Sequence, residues 1–194
     1  MDGVRGYWNG LILISKNGNE IHCPKWFTEQ LPSTTSFDGE LWMGRDNTFS
    51  DIASILNSKN GDWKQLGYYI FDIPSSIDTY EVRMKEMESL KLVLPAHVHI
   101  VENIQCTGNE HLNRHLLSVV TGKGEGLMLR KPQTANQKGY TSSILKVKVK
   151  ESLYLCSTMY RSMKTRKWRC LVLLMEAFCV NSKQPITLTF TNLG

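Results

Sequence analysis

Short runs of β-branched or apolar residues recur along the chain, each bounded by Gly, Pro or Asn, and no regular helix-sized spacer separates them. They are Leu11–Ser15, Gly39–Trp42, Tyr68–Ile73, His97–Val101, Gly126–Arg130, Ser143–Lys148, Cys170–Val180 and Ile186–Thr191. Three segments between them carry a helical period instead. Residues 49–57 put Phe49, Ile52, Ile55 and Leu56 on one face; residues 77–90 do the same with Tyr80, Met84, Met87 and Leu90; residues 110–120 with Leu112, Leu116, Val119 and Val120. Such stripes are core-forming. Helices scattered unevenly among strands, without the rhythm of a doubly wound sheet, predict an α+β fold with mainly antiparallel sheets.

The chain has 194 residues, of which 41% are hydrophobic. That suffices for one full core and a small second module, since domains run to roughly 100–200 residues. Helical signals stop after Val149, so the expected boundary divides residues 1–149 from a β-rich stretch, 150–194, that is short for a complete five-stranded barrel.

Charge is concentrated. Of the net +5, the segment from Lys146 to Arg169 carries eight basic residues against the single acid Glu151, leaving the rest of the chain net negative. A basic segment of this kind suits a polyanion such as nucleic acid, and equally a solvated loop between strands. The first ten residues, MDGVRGYWNG, lack the charged-then-apolar order of a signal peptide, and the longest apolar run, Leu171–Phe178, is interrupted by Glu176. It falls far short of the ~20 residues of a membrane span. Cys23, Cys106, Cys156, Cys170 and Cys179 are odd in number and never spaced as CxxC, which argues against a disulfide framework or a thiolate zinc site.

Two carboxylates stand beside glycines at strand openings: Glu40 in FDGELW and Glu125 in GEGLMLR. A neighbouring Gly lets backbone or phosphate approach, and a carboxylate ligates a hard divalent cation, though a Glu beside a turn Gly is also ordinary turn chemistry. In SILKVK, Lys146 and Lys148 are two apart and share one strand face, which fits a bound phosphate chain or an edge strand with a wet face. Phe71 in YYIFDIP can pack in the core or offer its ring to a base. His97 and His99 share a strand face and His111 and His115 are four apart on a helix, but no third ligand accompanies the second pair. Neither a GxSxG elbow nor a GxxxxGK[ST] loop occurs.

Taken in order, DGVR, SKNG, FDGELW, YYIFDIP, EGLMLRKP and ILKVK over residues 2–148 resemble the covalent nucleotidyltransferase superfamily, and most closely the small ATP-dependent DNA ligases. RNA ligases and messenger-RNA capping enzymes are relatives. The resemblance implies a nucleotidyltransferase (ATP-grasp-like) adenylation domain over 1–149, followed by a partial or degenerate OB-like segment over 150–194. It implies ATP and Mg²⁺ as cofactors and nicked double-stranded DNA as partner. By the same resemblance Asp2 belongs to the catalytic motif, Arg5 and Lys16 contact the nucleotide or a 5′-phosphate, and Glu40 contacts the ribose or metal. Phe71 stacks on adenine, Glu125 holds metal, and Lys146 and Lys148 grip phosphates.

The family's first motif reads Lys-x-Asp-Gly-x-Arg, and here Met1 takes the x position, so its nucleophilic lysine would stand directly before Met1. Cys170 and Thr189 occupy positions where the family's OB module has glycines. The expectation is therefore a nick-sealing ligase acting in DNA repair or replication, monomeric, inside the cell in nucleus or cytoplasm, without a membrane. The alternatives are a fragment that binds ATP or nicked nucleic acid without reacting, and an RNA ligase or capping relative.

Overall fold

The computed structural model describes residues 2–137, 139, 141–148 and, as backbone, 186–193. The expected strand Cys170–Val180 and the domain boundary near 149 lie outside the described residues.

The first sheet has five strands in the order β2-β1-β3-β4-β5. They are β1 (Val4–Trp8), β2 (Leu13–Ser15), β3 (Phe37–Trp42), β4 (Gly67–Asp72) and β5 (Val98–Ile100). All neighbours pair antiparallel except β4 with β5. Side chains alternate across these strands. Tyr68 and Ile70 of β4 and Phe37 and Leu41 of β3 are fully buried, joining Trp8, Leu13, Phe27, Ile52 and Trp63 in the main core. The opposite face carries Arg5, Glu40, Trp42 and Tyr69, which are half-buried or exposed. That polar and aromatic face is the one left for chemistry.

Helices cover the apolar face. The short α1 (Lys25–Thr28) delivers Phe27 to the core. In α2 (Phe49–Asn57), Thr48 caps the helix: its hydroxyl accepts from Asp51 N–H while the Asp51 carboxylate accepts from Thr48 N–H. Ile52 is buried there, but Phe49, expected on the core face, is the first helical residue and is 52% exposed. The helix expected over 77–90 is α3 (Tyr80–Ser89), begun by Thr79. Its buried face consists of Tyr80, Arg83 and Met87, with Met84 only partly covered.

The second sheet has the order β6-β9-β7-β8. Its strands are β6 (Asn103–Cys106), β7 (Gly126–Arg130), β8 (Ile144–Lys148) and β9 (Ile186–Leu193), all antiparallel where paired. The helix α4 (Asn109–Thr121) packs on it through Leu112 and Val119 against Leu127 and Leu129, a smaller core than the first. The mixed α and β content and the mainly antiparallel ladders agree with the sequence reading.

Candidate nucleotide and metal site

On β1, Arg5 lies opposite Glu40 of β3. Its guanidinium grips Asp38, with Nε donating at 2.8 Å to one oxygen and Nη2 donating to the other. That hydrogen bond raises the Arg5 pKa despite the desolvation that opposes it. Asp38 is 9% exposed and was not singled out in the sequence. It stands two residues before Glu40 on one strand, so period two was a usable signal, but only once β1 was recognised as the neighbouring strand.

Glu40 accepts a hydrogen bond from Gly3 N–H at 2.8 Å. Burial nevertheless pushes its carboxyl above the ordinary 4.5, with the Gly3 bond and Lys146 pulling the other way and Glu125 adding to the rise. Glu40 is thus a partly covered carboxylate whose burial outweighs the groups that favour its charge. Gly3 is needed for this approach: a Cβ there would sit 2.4 Å from the Leu41 carbonyl and 2.7 Å from Glu40 Cγ.

Glu125 comes from the second sheet, immediately before β7, and meets β8. Lys148 Nζ lies 2.8 Å from Glu125 Oε1 and Lys146 Nζ 3.4 Å from Oε2. Burial raises the Glu125 pKa, but the two ammonium groups outweigh it and the net shift is downward. The bond to Glu125 in turn raises the Lys148 pKa, with Asp2 adding a smaller contribution. The shared-face expectation for Lys146 and Lys148 is met by this common carboxylate. Across the two sheets Glu40 interacts electrostatically with Glu125 and Lys146, and Asp2 with Lys148.

Phe71 occupies a β-bulge. Asp38 pairs with Asp72 and Gly39 with Ile70, so β4 has one extra residue there, and it is Phe71. A bulge residue is released from the ladder and re-aimed. Phe71 is half-buried, whereas Ile70 and Asp72 on either side are buried. Beside it on the same face, Tyr69 makes an edge contact with Trp42 and lies 4.6 Å from the His99 ring. Lys16 is exposed in the turn after β2, and among the described residues no hydrogen bond or ion pair joins it to the Glu40 group.

The histidine pairs take no part. His97 packs on Trp26 and Phe27 and His99 on Tyr69. The His111 and His115 rings lie 4.5 Å apart at a tilt of 59°, and His111 Nδ1 accepts from Thr107 N–H. Among the described residues no three His, Cys, Asp or Glu side chains group closely enough to hold a metal unaided. A hard cation held through one or two carboxylates plus substrate phosphates needs no such cage, and the partly buried Glu40 within electrostatic reach of Glu125 fits that kind of site.

No family model matches the chain. The chain is 35% identical over 150 residues to a DNA ligase of Haemophilus influenzae, an overlap of 76% of this chain and 55% of that protein. A solved Lig E DNA ligase, described as binding DNA with a minimal scaffold, is 31% identical with a TM-score of 0.70, over 77% of this chain and 59% of that one. Chlorella virus DNA ligase-adenylate is 24% identical with a TM-score of 0.63, over 76% and 58%, a likeness of fold. The chain spans a little over half the length of these relatives.

Proposed function

The chain belongs to the DNA ligase family, and on that premise we propose that the Glu40 and Glu125 region is an ATP-dependent adenylation site that serves the sealing of nicks in double-stranded DNA. The observation that carries this reading is Glu125 bonded to both Lys146 and Lys148 on the second sheet, with Glu40 of the first sheet within electrostatic reach of Glu125 and Lys146. Two carboxylates and two ammonium groups in one place suit a metal-bound polyphosphate, in which cation and lysines share the phosphate charge.

In this reading Glu40 and Glu125 would hold Mg²⁺, and Lys146 and Lys148 would bond phosphate oxygens. The cation, when bound, draws charge from the phosphate oxygens as the α-phosphate is attacked. Phe71 offers its half-buried ring to adenine, and Arg5, oriented by Asp38, and Lys16 meet the nucleotide or the 5′-phosphate of the nick. Asp2 completes the first motif beside Lys148. A lysine amine placed before Met1 would form the bond to the α-phosphorus as the bond to pyrophosphate breaks; AMP then passes to the 5′-phosphate, and a 3′-hydroxyl displaces it to close the strand.

Residues 150–185 are proposed as an OB-like segment, Ile186–Leu193 being β9 of the second sheet, with the cluster Arg161 to Arg169 as its contact to the duplex backbone. We take the protein to act as a monomer inside the cell, in nucleus or cytoplasm; among the described residues no helix is long and apolar enough to cross a membrane.

The test uses α-labelled ATP with Mg²⁺ and, separately, a nick already carrying 5′-AMP. The 194-residue polypeptide, in which Met1 directly precedes Asp2, should take up no covalent label yet seal the adenylated nick. The same chain with one lysine inserted before Met1 should become labelled. If the lysine-extended chain neither labels nor binds ATP, the assignment fails; if only RNA nicks are sealed, the acceptor is wrong.

A further inference from the structure

Glu40 and Glu125 lie on different sheets, so neither ladder fixes the distance between them. Something else must. Elsewhere the two sheets are joined by the ion pair of Asp72 on β4 with Arg130 on β7. Near Glu40 the join is Arg45, five residues past it in the loop that leaves β3.

Arg45 Nη1 donates to the carbonyl of Gly122 and, at 3.4 Å, to that of Val119. These are carbonyls of the last turn of α4, where backbone acceptors lack helical partners and a positive charge is favoured by the helix dipole. The chain then turns through residues 122–124 directly into Glu125. A Cβ on Gly122 would lie 2.9 Å from Arg45 Nη1 and one on Gly124 would lie 3.4 Å away, so the guanidinium fills the space those glycines leave. Asp46 and Lys123, 3.6 Å apart, pair alongside, and Lys123 holds a φ of 63° within the turn.

We propose that Arg45 is a positioning residue for the divalent cation, tying the Glu40 strand to the turn that presents Glu125 and so setting the gap between the two carboxylates. The inference rests on the reading that Glu40 and Glu125 share a cation. Removing a side chain that orients metal ligands typically weakens metal affinity by roughly tenfold or more.

The probe is Mn²⁺, titrated into the full chain with ATP present and free Mn²⁺ followed by electron paramagnetic resonance. ATP binding in excess EDTA is measured in parallel. Arg45→Ala should weaken Mn²⁺ by about tenfold and leave metal-free ATP binding unchanged. Arg45→Lys, a single point charge in place of a fork, should fall between that variant and the parent. Should the alanine variant fail to fold, the lysine variant alone decides, and parental Mn²⁺ affinity in it overturns the proposal. Equal loss of Mn²⁺ and of metal-free ATP binding also overturns it, because the effect would then be general. Glu125→Gln separates the two levels of inference. If it weakens Mn²⁺ while Arg45→Ala does not, only the tether falls; if it leaves Mn²⁺ affinity intact, the shared-cation reading falls and the tether with it.

Discussion

Arg83, 1% exposed on the first turn of α3, donates through Nε at 2.6 Å and Nη2 at 3.2 Å to the two oxygens of Asp72, the last residue of β4. Arg130 at the end of β7 donates to the same carboxylate at 2.8 Å, and its guanidinium lies 4.6 Å from the centre of the Tyr80 ring. One buried carboxylate therefore bonds an arginine from α3 and another from β7. Breaking a buried pair by removing one partner costs about 3–5 kcal/mol, mostly because a charge is left without its counter-charge. Asp72→Asn strands two guanidinium groups and should reach that range. Arg83→Met should cost less, because Arg130 still serves Asp72. Urea unfolding of the two variants gives the order directly, and the reverse order would show that Asp72 is not the shared partner.

Gly126 follows Glu125 at φ 153°, and a Cβ there would lie 2.0 Å from the Val147 carbonyl of β8. Backbone held in a region open mainly to glycine costs other residues about 1–3 kcal/mol before any clash is counted. Gly126→Ala should force β7 from β8 and carry Glu125 away from Lys148. Gly18, at φ 86° with nothing within 4 Å, provides the comparison, since alanine there meets strain alone. Thermal melts should show the larger loss at Gly126, and sealing of an adenylated nick should drop only in that variant.

His99 has its pKa lowered from 6.5, first by burial and then by its neighbour His97. A depressed histidine pKa means that the unfolded chain binds the proton more readily, so protonation favours unfolding and stability rises with pH until the unfolded value is passed. Between pH 5.5 and 7.5 the wild-type chain should gain stability with pH through this residue. His99→Phe, which keeps a ring against Tyr69, should flatten that part of the profile. Denaturant titrations at the two pH values make the comparison, and an unchanged slope would remove His99 from the account.

What was legible in the sequence was whatever is local. The apolar stripe of α2 lies within nine residues, and Lys146 and Lys148 share a face by period alone. β1 escaped because Val4–Trp8 holds an arginine and a glycine and looks apolar on one face only after β2 and β3 flank it. Asp38 as the partner of Arg5, Arg45 at the end of α4 and the Asp72 group share a different obstacle. Each joins residues 11 to 77 positions apart, and no periodicity encodes which arginine meets which carboxylate or carbonyl. Phe71 was named from its motif, but the bulge that frees it depends on the register of β3 against β4.

That bulge supplies the sharpest test of the nucleotide reading. Ile70 is fully buried and belongs to the main core, whereas Phe71 sits outside the regular ladder and is half-buried. Ile70→Ala should cost about 2–5 kcal/mol in stability, as deletions of buried aliphatic side chains do. Phe71→Ala should cost much less in folding but weaken ATP binding by about 1–3 kcal/mol, the typical worth of one base stacked on an aromatic ring. Phe71→Trp should keep most of that affinity, since any flat ring serves a base. Calorimetric titration with ATP beside urea unfolding separates the two quantities. If Phe71→Ala unfolds as readily as Ile70→Ala and binds ATP as the parent does, the ring is core and the adenine must rest elsewhere.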